Sequence, residues 1–455
     1  MSTRVLMVGL DGSDGHLLDR LTGTGDLPHL ARLRDRGAFK LLDNADEMSD
    51  DSIWASFQFG VPLSDHGRYH YLQPRSSGRM RMAVTQEDAD DTFWSKLSAR
   101  GMRVGVIDIP KCPRPKPLNG VHLADWRVHG RYFNGPQSYP PELADETVAA
   151  FGAQTRSWCD FHQELPDDDT IREMLADFLA SVEMKRRASL KHLENGDWDL
   201  FLVGFKEAHC AGHGLWHLAD PNHADYDAQR VARVGDPVGT IYRALDAAVG
   251  DLVTAAGSQA DVVVFSNSFM QPNGSVLHLQ DPLVAKINAV LTGEHMQFRD
   301  WLGNGVRALR RWPKEPMCRF VPSNENHVAL RLSRRDPKRF ARMLEQTVGL
   351  LSGVTDADTG LPVFDRIVLS STDQAGAARD VMPDIVAWCR TNALPQTLTS
   401  NSLGQITAAG RRMRPGNHSM GGAVIAAGAK ATDLSAGLEN MSDFAEFTNR
   451  ILQKS

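Results

Sequence analysis

Short runs of consecutive apolar residues recur along this chain, at positions 5–10, 104–109, 200–205, 262–266, 327–332, 385–389 and 423–427. Runs of that length without polar alternation predict strands buried on both faces, the habit of parallel sheets. Between them, apolar positions return with helical spacing over 17–37, 170–195, 237–256 and 337–351. Strand and helix in alternation predict an α/β fold with a mostly parallel central sheet flanked by helices. Pro- and Gly-rich stretches at 110–117 and 134–141 read as loops. The expected organisation is one domain over residues 1–455, with cap-like insertions at 110–185 and 270–375.

Three of the expected strands run straight into polar residues: Asp11 after the first, Glu207 and His209 after another, Asn267 and Ser268 after a third. Ligand sites in open α/β sheets lie beyond the carboxyl ends of the strands, so the three ends point to one site. The middle one carries most chemistry. If the chain turns helical at Glu207, then His209, His213 and His217 fall at i, i+4 and i+8 on one helix face. Two imidazoles one turn apart can clasp a divalent ion, and neutral imidazole suits zinc, iron or copper. The competing reading is a helix that carries satisfied histidines.

Composition narrows the class. A hydrophobic content of 42% and a charged content of 23% are those of an ordinary soluble globular protein, and 455 residues suffice for one large α/β domain. The net charge of −6 argues against nucleic acid as a general partner. The basic cluster Arg307, Arg310, Arg311 and Lys314 reads as a solvated face. Five scattered cysteines form no disulfide framework. The first apolar run stops at Asp11, too soon for a signal sequence, and no window is apolar enough to span a membrane. The expectations are a cytoplasmic protein, a small-molecule substrate, and no nucleic-acid or membrane partner; a homo-oligomer is compatible with the sequence.

Four distant pieces complete the candidate site: Val8-Gly9-Leu10-Asp11-Gly12; Asp50-Asp51-Ser52-Ile53-Trp54 through Gly60, with Asp65-His66-Gly67; the run from Glu207 to His217; and Pro415-Gly416-Asn417-His418-Ser419-Met420-Gly421-Gly422. In that order they resemble the alkaline phosphatase superfamily, in its type I phosphodiesterase/nucleotide pyrophosphatase branch. Val106-Ile107-Asp108-Ile109-Pro110-Lys111 and Met382-Pro383-Asp384-Ile385-Val386 resemble the same branch. The resemblance implies an alkaline phosphatase-like sheet and two metal ions, usually zinc, that grip a phosphate ester while a Thr or Ser attacks phosphorus. It also implies that His209, His213 and His418 match ligands of one metal. Asp11, the nucleophile position and an Asp-His pair would hold the other.

The chain departs from that pattern. The nucleophile position, ten residues before Gly60, is Asp50; Asn267-Ser268 replaces the Asp-His pair; and His209 stands where relatives carry an aspartate. Three neutral imidazoles would leave zinc its full charge and an open position for water or substrate. The expected function is therefore a metal-dependent hydrolase acting on a specialised phosphate-ester-like or other small anionic substrate, through a metal-bound water or a Lewis-acid metal. Zinc is the expected cofactor, one ion, with a second divalent cation between Asp11 and Asp50 still compatible with carboxylate chemistry.

Asp11, Asp50 and Glu207 are candidate general bases or orienting groups, Ser52 a nucleophile if the loop register slips by two, and Asn267 and Ser268 substrate contacts. Each has a plainer reading: Asp11 as a helix cap, Asp50 and Asp51 as a solvated loop, Ser52 as an N-cap, His217 and His66 as structural. Asp125 and His129 are candidates to line the pocket from the cap. A catalytically silent ligand-binding relative, or a lyase or transferase on the same scaffold, are the alternative functions.

Overall fold

The computed structural model of the chain describes residues 3–44, 49–74, 80–82, 92–128, 133, 135–153, 156, 158, 165–293, 317–323, 325–334, 336–369, 382–391, 394–408 and 414–453. His129, Cys159 and the basic cluster at 307–314 lie outside the described residues. Where the sequence suggests one domain with insertions, contacts divide the chain into two units, residues 1–272 with 414–455 and residues 273–413.

The first unit is organised by an eight-stranded sheet. Its strands in chain order are β1 (Thr3–Leu10), β2 (Ala38–Leu42), β3 (Val104–Ile107), β4 (Gly120–Ala124), β5 (Gln137–Tyr139), β6 (Trp198–Phe205), β7 (Asp261–Ser266) and, after a separate two-stranded ribbon of β8 (Phe269–Pro272) with β9 (Gly416–Ser419), β10 (Gly422–Ala427). Their spatial order is β2-β10-β7-β1-β6-β3-β4-β5. The five central strands are mutually parallel. β2, β10 and β5 pair antiparallel at the two sides. Successive side chains of a strand point to opposite faces. Val5 and Met7 accordingly join a core with Trp54, Phe57 and Phe444, while Leu6, Val8 and Leu10 join one with Phe178, Leu215 and Leu245. Both faces being covered, the strands read as continuous apolar runs.

The helices of this unit include α1 (Gly15–Thr24), α2 (Pro28–Asp35), α3 (Asp50–Phe59), α4 (Asp168–Glu194), α5 (Glu207–Ala219), α6 (Pro237–Ala256) and α7 (Phe444–Leu452). Local chemistry sets their limits. Asp236 caps α6 by accepting from Gly239 N at 2.8 Å, with Pro237 in the first turn. The single helix expected over 17–37 is two, because Gly25 turns left-handed and Pro28 starts a new helix. Among the described residues no helix is long and apolar enough to cross a membrane.

The second unit has its own antiparallel sheet, in the order Cys318–Val321, His327–Leu332, Ile385–Cys389, Phe364–Leu369. Helices Gln280–Thr292 and Pro337–Ser352 belong with it, around a core that includes Leu283, Ile287, Leu330, Leu351 and Ile385. Two expected parallel strands, 327–332 and 385–389, therefore belong to a different and antiparallel sheet. An apolar run records burial on both faces, not the direction of its neighbour. Residues 110–185 supply β4, β5 and the first part of α4, so much of that expected insertion extends the main sheet.

Candidate metal centre

The carboxyl ends of the parallel strands gather the polar residues in the first unit. Asp11 follows β1, Asp108 follows β3, Lys206 and Glu207 follow β6, and Asn267 and Ser268 follow β7. The ladder between β1 and β6 continues one step further through Asp11 N, which donates to Phe205 O at 2.8 Å. Gly12 then turns the chain at φ +63°, and a Cβ there would stand 2.5 Å from His209 Cα. Only glycine lets β1 end this close to α5.

Helix α5 begins at Glu207, so His209 and His213 lie one turn apart on one face. Strand β9 brings His418 against them; Gly416 allows this, since a Cβ there would lie 2.0 Å from Gly212 O. The three imidazole centroids are 4.6, 4.6 and 4.5 Å apart, and all three residues are buried. His213 Nδ1 lies 2.9 Å from Gly416 O; a carbonyl only accepts, so Nδ1 carries the proton and Nε2 keeps its lone pair. His418 Nδ1 meets Ser268 Oγ at 3.2 Å, and its Nε2 is buried with no hydrogen-bond partner among the described residues. Burial pushes the His418 imidazole down to about 3, so it is neutral at physiological pH. One nitrogen from each ring lies within 4.8 Å of the others. Three buried, convergent imidazole nitrogens, one of them without a hydrogen-bond partner among the described residues, fit a divalent ion such as zinc.

A second group converges beside it: carboxylate oxygens of Asp11 and Asp50 with a nitrogen of His209. Asp11 is fully buried; its Oδ1 accepts from Trp54 Nε1 at 2.8 Å and its Oδ2 lies 3.3 Å from His209 Nδ1. Desolvation raises the Asp11 carboxyl, but His209 outweighs it and the group stays below the ordinary carboxylate value. Asp50 opens α3, capped by Ser49. Its Oδ2 accepts from Lys111 Nζ and its Oδ1 from Asn267 Nδ2 at 2.7 Å. Burial raises this carboxyl too, yet the Lys111 ammonium holds it well below the usual range. Lys111 also reaches Asp51 Oδ1 at 2.8 Å. This second group thus holds a protein ammonium where the first holds only lone pairs.

Several expected site residues take other parts. Glu207 turns away from the imidazoles, because residues two apart face different sides of a helix. Its Oε1 accepts from Ser181 Oγ at 2.6 Å and lies 3.4 Å from Lys185 Nζ. Ser52 is the third residue of α3, its hydroxyl closing a capping box with Ser49. Asn267 bridges the protein to itself: its oxygen accepts from Gly12 N at 2.9 Å and its amide nitrogen serves Asp50. Ser268 orients His418. His217 is buried in α5 with its ring 6.2 Å from that of His223, and His66 meets Ser56 Oγ at 2.9 Å. Asp125 lines a cleft together with Lys111, its Oδ2 accepting from Phe133 N at 2.8 Å.

Sequence reasoning missed Lys111, Asp51 and Trp54. The signal was present, since Lys111 ends the quoted Val106–Lys111 stretch and Trp54 sits within the α3 motif. It also missed a buried ion network in which Asp108 lies 3.0 Å from Lys185 and 2.9 Å from Lys206. Two clefts open beside the cluster. Both are small: one is lined by Asp51, Arg68, His70, Tyr71 and Lys111 among others, another by Lys111, Asp125, Phe133 and Lys206 among others.

The description "Type I phosphodiesterase / nucleotide pyrophosphatase" matches residues 5–390. Among solved structures the chain is similar to a phosphonoacetate hydrolase from Sinorhizobium meliloti 1021 in complex with phosphonoformate, at 16% identity and a TM-score of 0.56, covering 99% of this chain and 96% of that one. The complex of that hydrolase with phosphonoacetate is similar at 15% identity and a TM-score of 0.52, with coverages of 99% and 96%. Human ectonucleotide pyrophosphatase/phosphodiesterase 5 follows at 11% identity and a TM-score of 0.50, with 99% of this chain and 95% of that one covered. No curated protein sequence matches the chain.

Proposed function

The chain belongs to the type I phosphodiesterase/nucleotide pyrophosphatase family and is a hydrolase of phosphoester-type bonds, and on that premise we propose that its hydrolysis is metal-dependent and centred on His209, His213 and His418. The observation that carries this reading is the convergence of three buried imidazole nitrogens, with His418 Nε2 left without a hydrogen-bond partner among the described residues. Zinc, which accepts three nitrogen ligands and keeps a fourth position open, would supply Lewis acidity undiminished by ligand charge.

The protein's own groups prepare that cage. Gly416 O and Ser268 fix the His213 and His418 rings, and Trp54 holds Asp11 beside His209. Such orienting contacts keep ligand geometry rigid. Asp50 has both oxygens engaged and stays ionised, which suits it to anchoring Lys111 and not to carrying protons near neutrality. Ser52 is committed to the helix cap. Attack is therefore assigned to solvent water instead of either side chain. Lys111 lends positive charge to both clefts, joined by Arg68 in one of them. A small phosphoester or phosphonate anion fits that chemistry.

The test is metal content and turnover measured together. Protein purified without chelator is expected to carry about one equivalent of zinc and to hydrolyse at least one member of a panel of phosphomonoesters, phosphodiesters and carboxylated phosphonates. His213→Ala is expected to lose both. Metal-free wild-type protein that still turns over, or undiminished turnover in His213→Ala, would sink the reading.

A further inference from the structure

The three-imidazole cage and the Asp11–Asp50–His209 group lie side by side and share His209, yet they differ in what neutralises them. We infer that the Lys111 ammonium is the resident cation of the carboxylate group, so that the chain holds a single divalent ion, in the imidazole cage, and that removing the ammonium opens a second, oxygen-rich cation site. The inference rests on the metal-cage reading above.

Four observations carry it. First, Asp11, Asp50 and His209 offer ligand atoms within 4.8 Å of one another, which is the reach of one cation. Second, Lys111 already contacts Asp50 and lies 2.8 Å from Asp51, with the side chains of all three 5–6% exposed. An ammonium so deep is stable only against fixed negative charge. Third, the other oxygen of Asp50 accepts from Asn267, whose own oxygen is tied to Gly12 N. An amide stands where a second ion would need an anionic or imidazole ligand, so a second dication would meet fewer donors and a like charge. Fourth, Lys111 has φ +55°, a left-handed backbone that lysine adopts only when its surroundings impose it.

The consequence is chemical. A tethered ammonium gives one positive charge that no chelator removes and that demands no octahedral shell, and it can move by side-chain rotation. An incoming substrate oxygen would meet a mixed pair of cations, one exchangeable and one covalently part of the chain.

The experiment counts ions. Chelator-stripped full-length protein is titrated with zinc, and the zinc-loaded protein then with Mn²⁺, followed by metal analysis and by electron paramagnetic resonance of bound Mn²⁺. Wild type is expected to take one zinc and no Mn²⁺. Lys111→Met is expected to take one zinc and about one Mn²⁺, and Lys111→Arg, which keeps the charge, to behave as wild type. Mn²⁺ bound stoichiometrically by zinc-loaded wild type overturns the inference without any variant, as does folded Lys111→Met that binds zinc alone. Should Lys111→Met not fold, the wild-type Mn²⁺ titration decides. Loss of zinc in His213→Ala reports on the cage separately: failure there with a gained Mn²⁺ in Lys111→Met would sink the cage and keep the lysine.

Discussion

Two polar clusters lie at the carboxyl ends of the same parallel strands, and both are removed from water. In one, Asp108 and Glu207 face Lys185 and Lys206, two carboxylates against two ammonium groups, all 3% exposed or less. In the other, His209, His213 and His418 converge beside three carboxylates that meet, among the described residues, the one ammonium of Lys111, with His70 Nε2 3.8 Å from Asp51 Oδ2. The first cluster balances its charge from within and leaves little for a ligand to do. The second is short of positive charge and rich in donors. Buried polar groups are costly unless paired, so an imbalance that persists in a packed interior marks a place meant for an exchangeable partner. Burial alone does not separate the two; neutrality does.

The comparison breaks if the two clusters respond alike to mutation. The largest effect is expected from His418→Ala: turnover down about a thousandfold or more, since a Lewis-acid metal is worth several kcal/mol in the transition state. Zinc content should fall with it, while the circular dichroism melt should match that of chelator-stripped wild type. Lys185→Met should do the opposite. It leaves Glu207 and Asp108 one buried ammonium short, which costs about 3–5 kcal/mol in denaturant unfolding, yet the folded fraction should keep its zinc. A melt unchanged in Lys185→Met would remove the contrast.

Smaller effects sharpen the same point. Lys185→Met combined with Glu207→Leu removes charges of both signs and leaves Asp108 with Lys206, so the double variant should recover about 1–3 kcal/mol over the single one. Gly12→Ala should weaken zinc binding by about ten- to a hundredfold, read by competition with a chelating dye, because its methyl group would displace His209. Ser52→Ala should cost about 1 kcal/mol through the lost cap and leave turnover within about twofold. A collapse of turnover there would restore Ser52 as the nucleophile.

His418 was joined to the cage by family resemblance, whereas His209 and His213 were legible locally, by their spacing on one helix. The central strands were legible for the same reason, as uninterrupted apolar runs. Partners that meet only in space were not. Lys111 is 61 residues from Asp50, and no periodicity links a loop lysine to a helix start. Glu207 misled in the other direction: two residues from His209 in sequence, it points to Ser181 and Lys185. Adjacency along a helix is not adjacency on its surface. The directions of 327–332 and 385–389 were hidden because both kinds of covered strand select the same residues.

The bond from His213 Nδ1 to Gly416 O joins positions 203 residues apart. Its consequence lies in time. A ribosome making this chain releases both helix histidines, then the whole of the second unit, before β9 and β10 emerge. Until they do, there is no third imidazole and no final strand between β2 and β7. An ion caught in the cage would therefore tie off a very long loop, and metal capture would wait until the second unit has been made. Loading would act as an inspection, passed only by chains in which β9 has come back to α5.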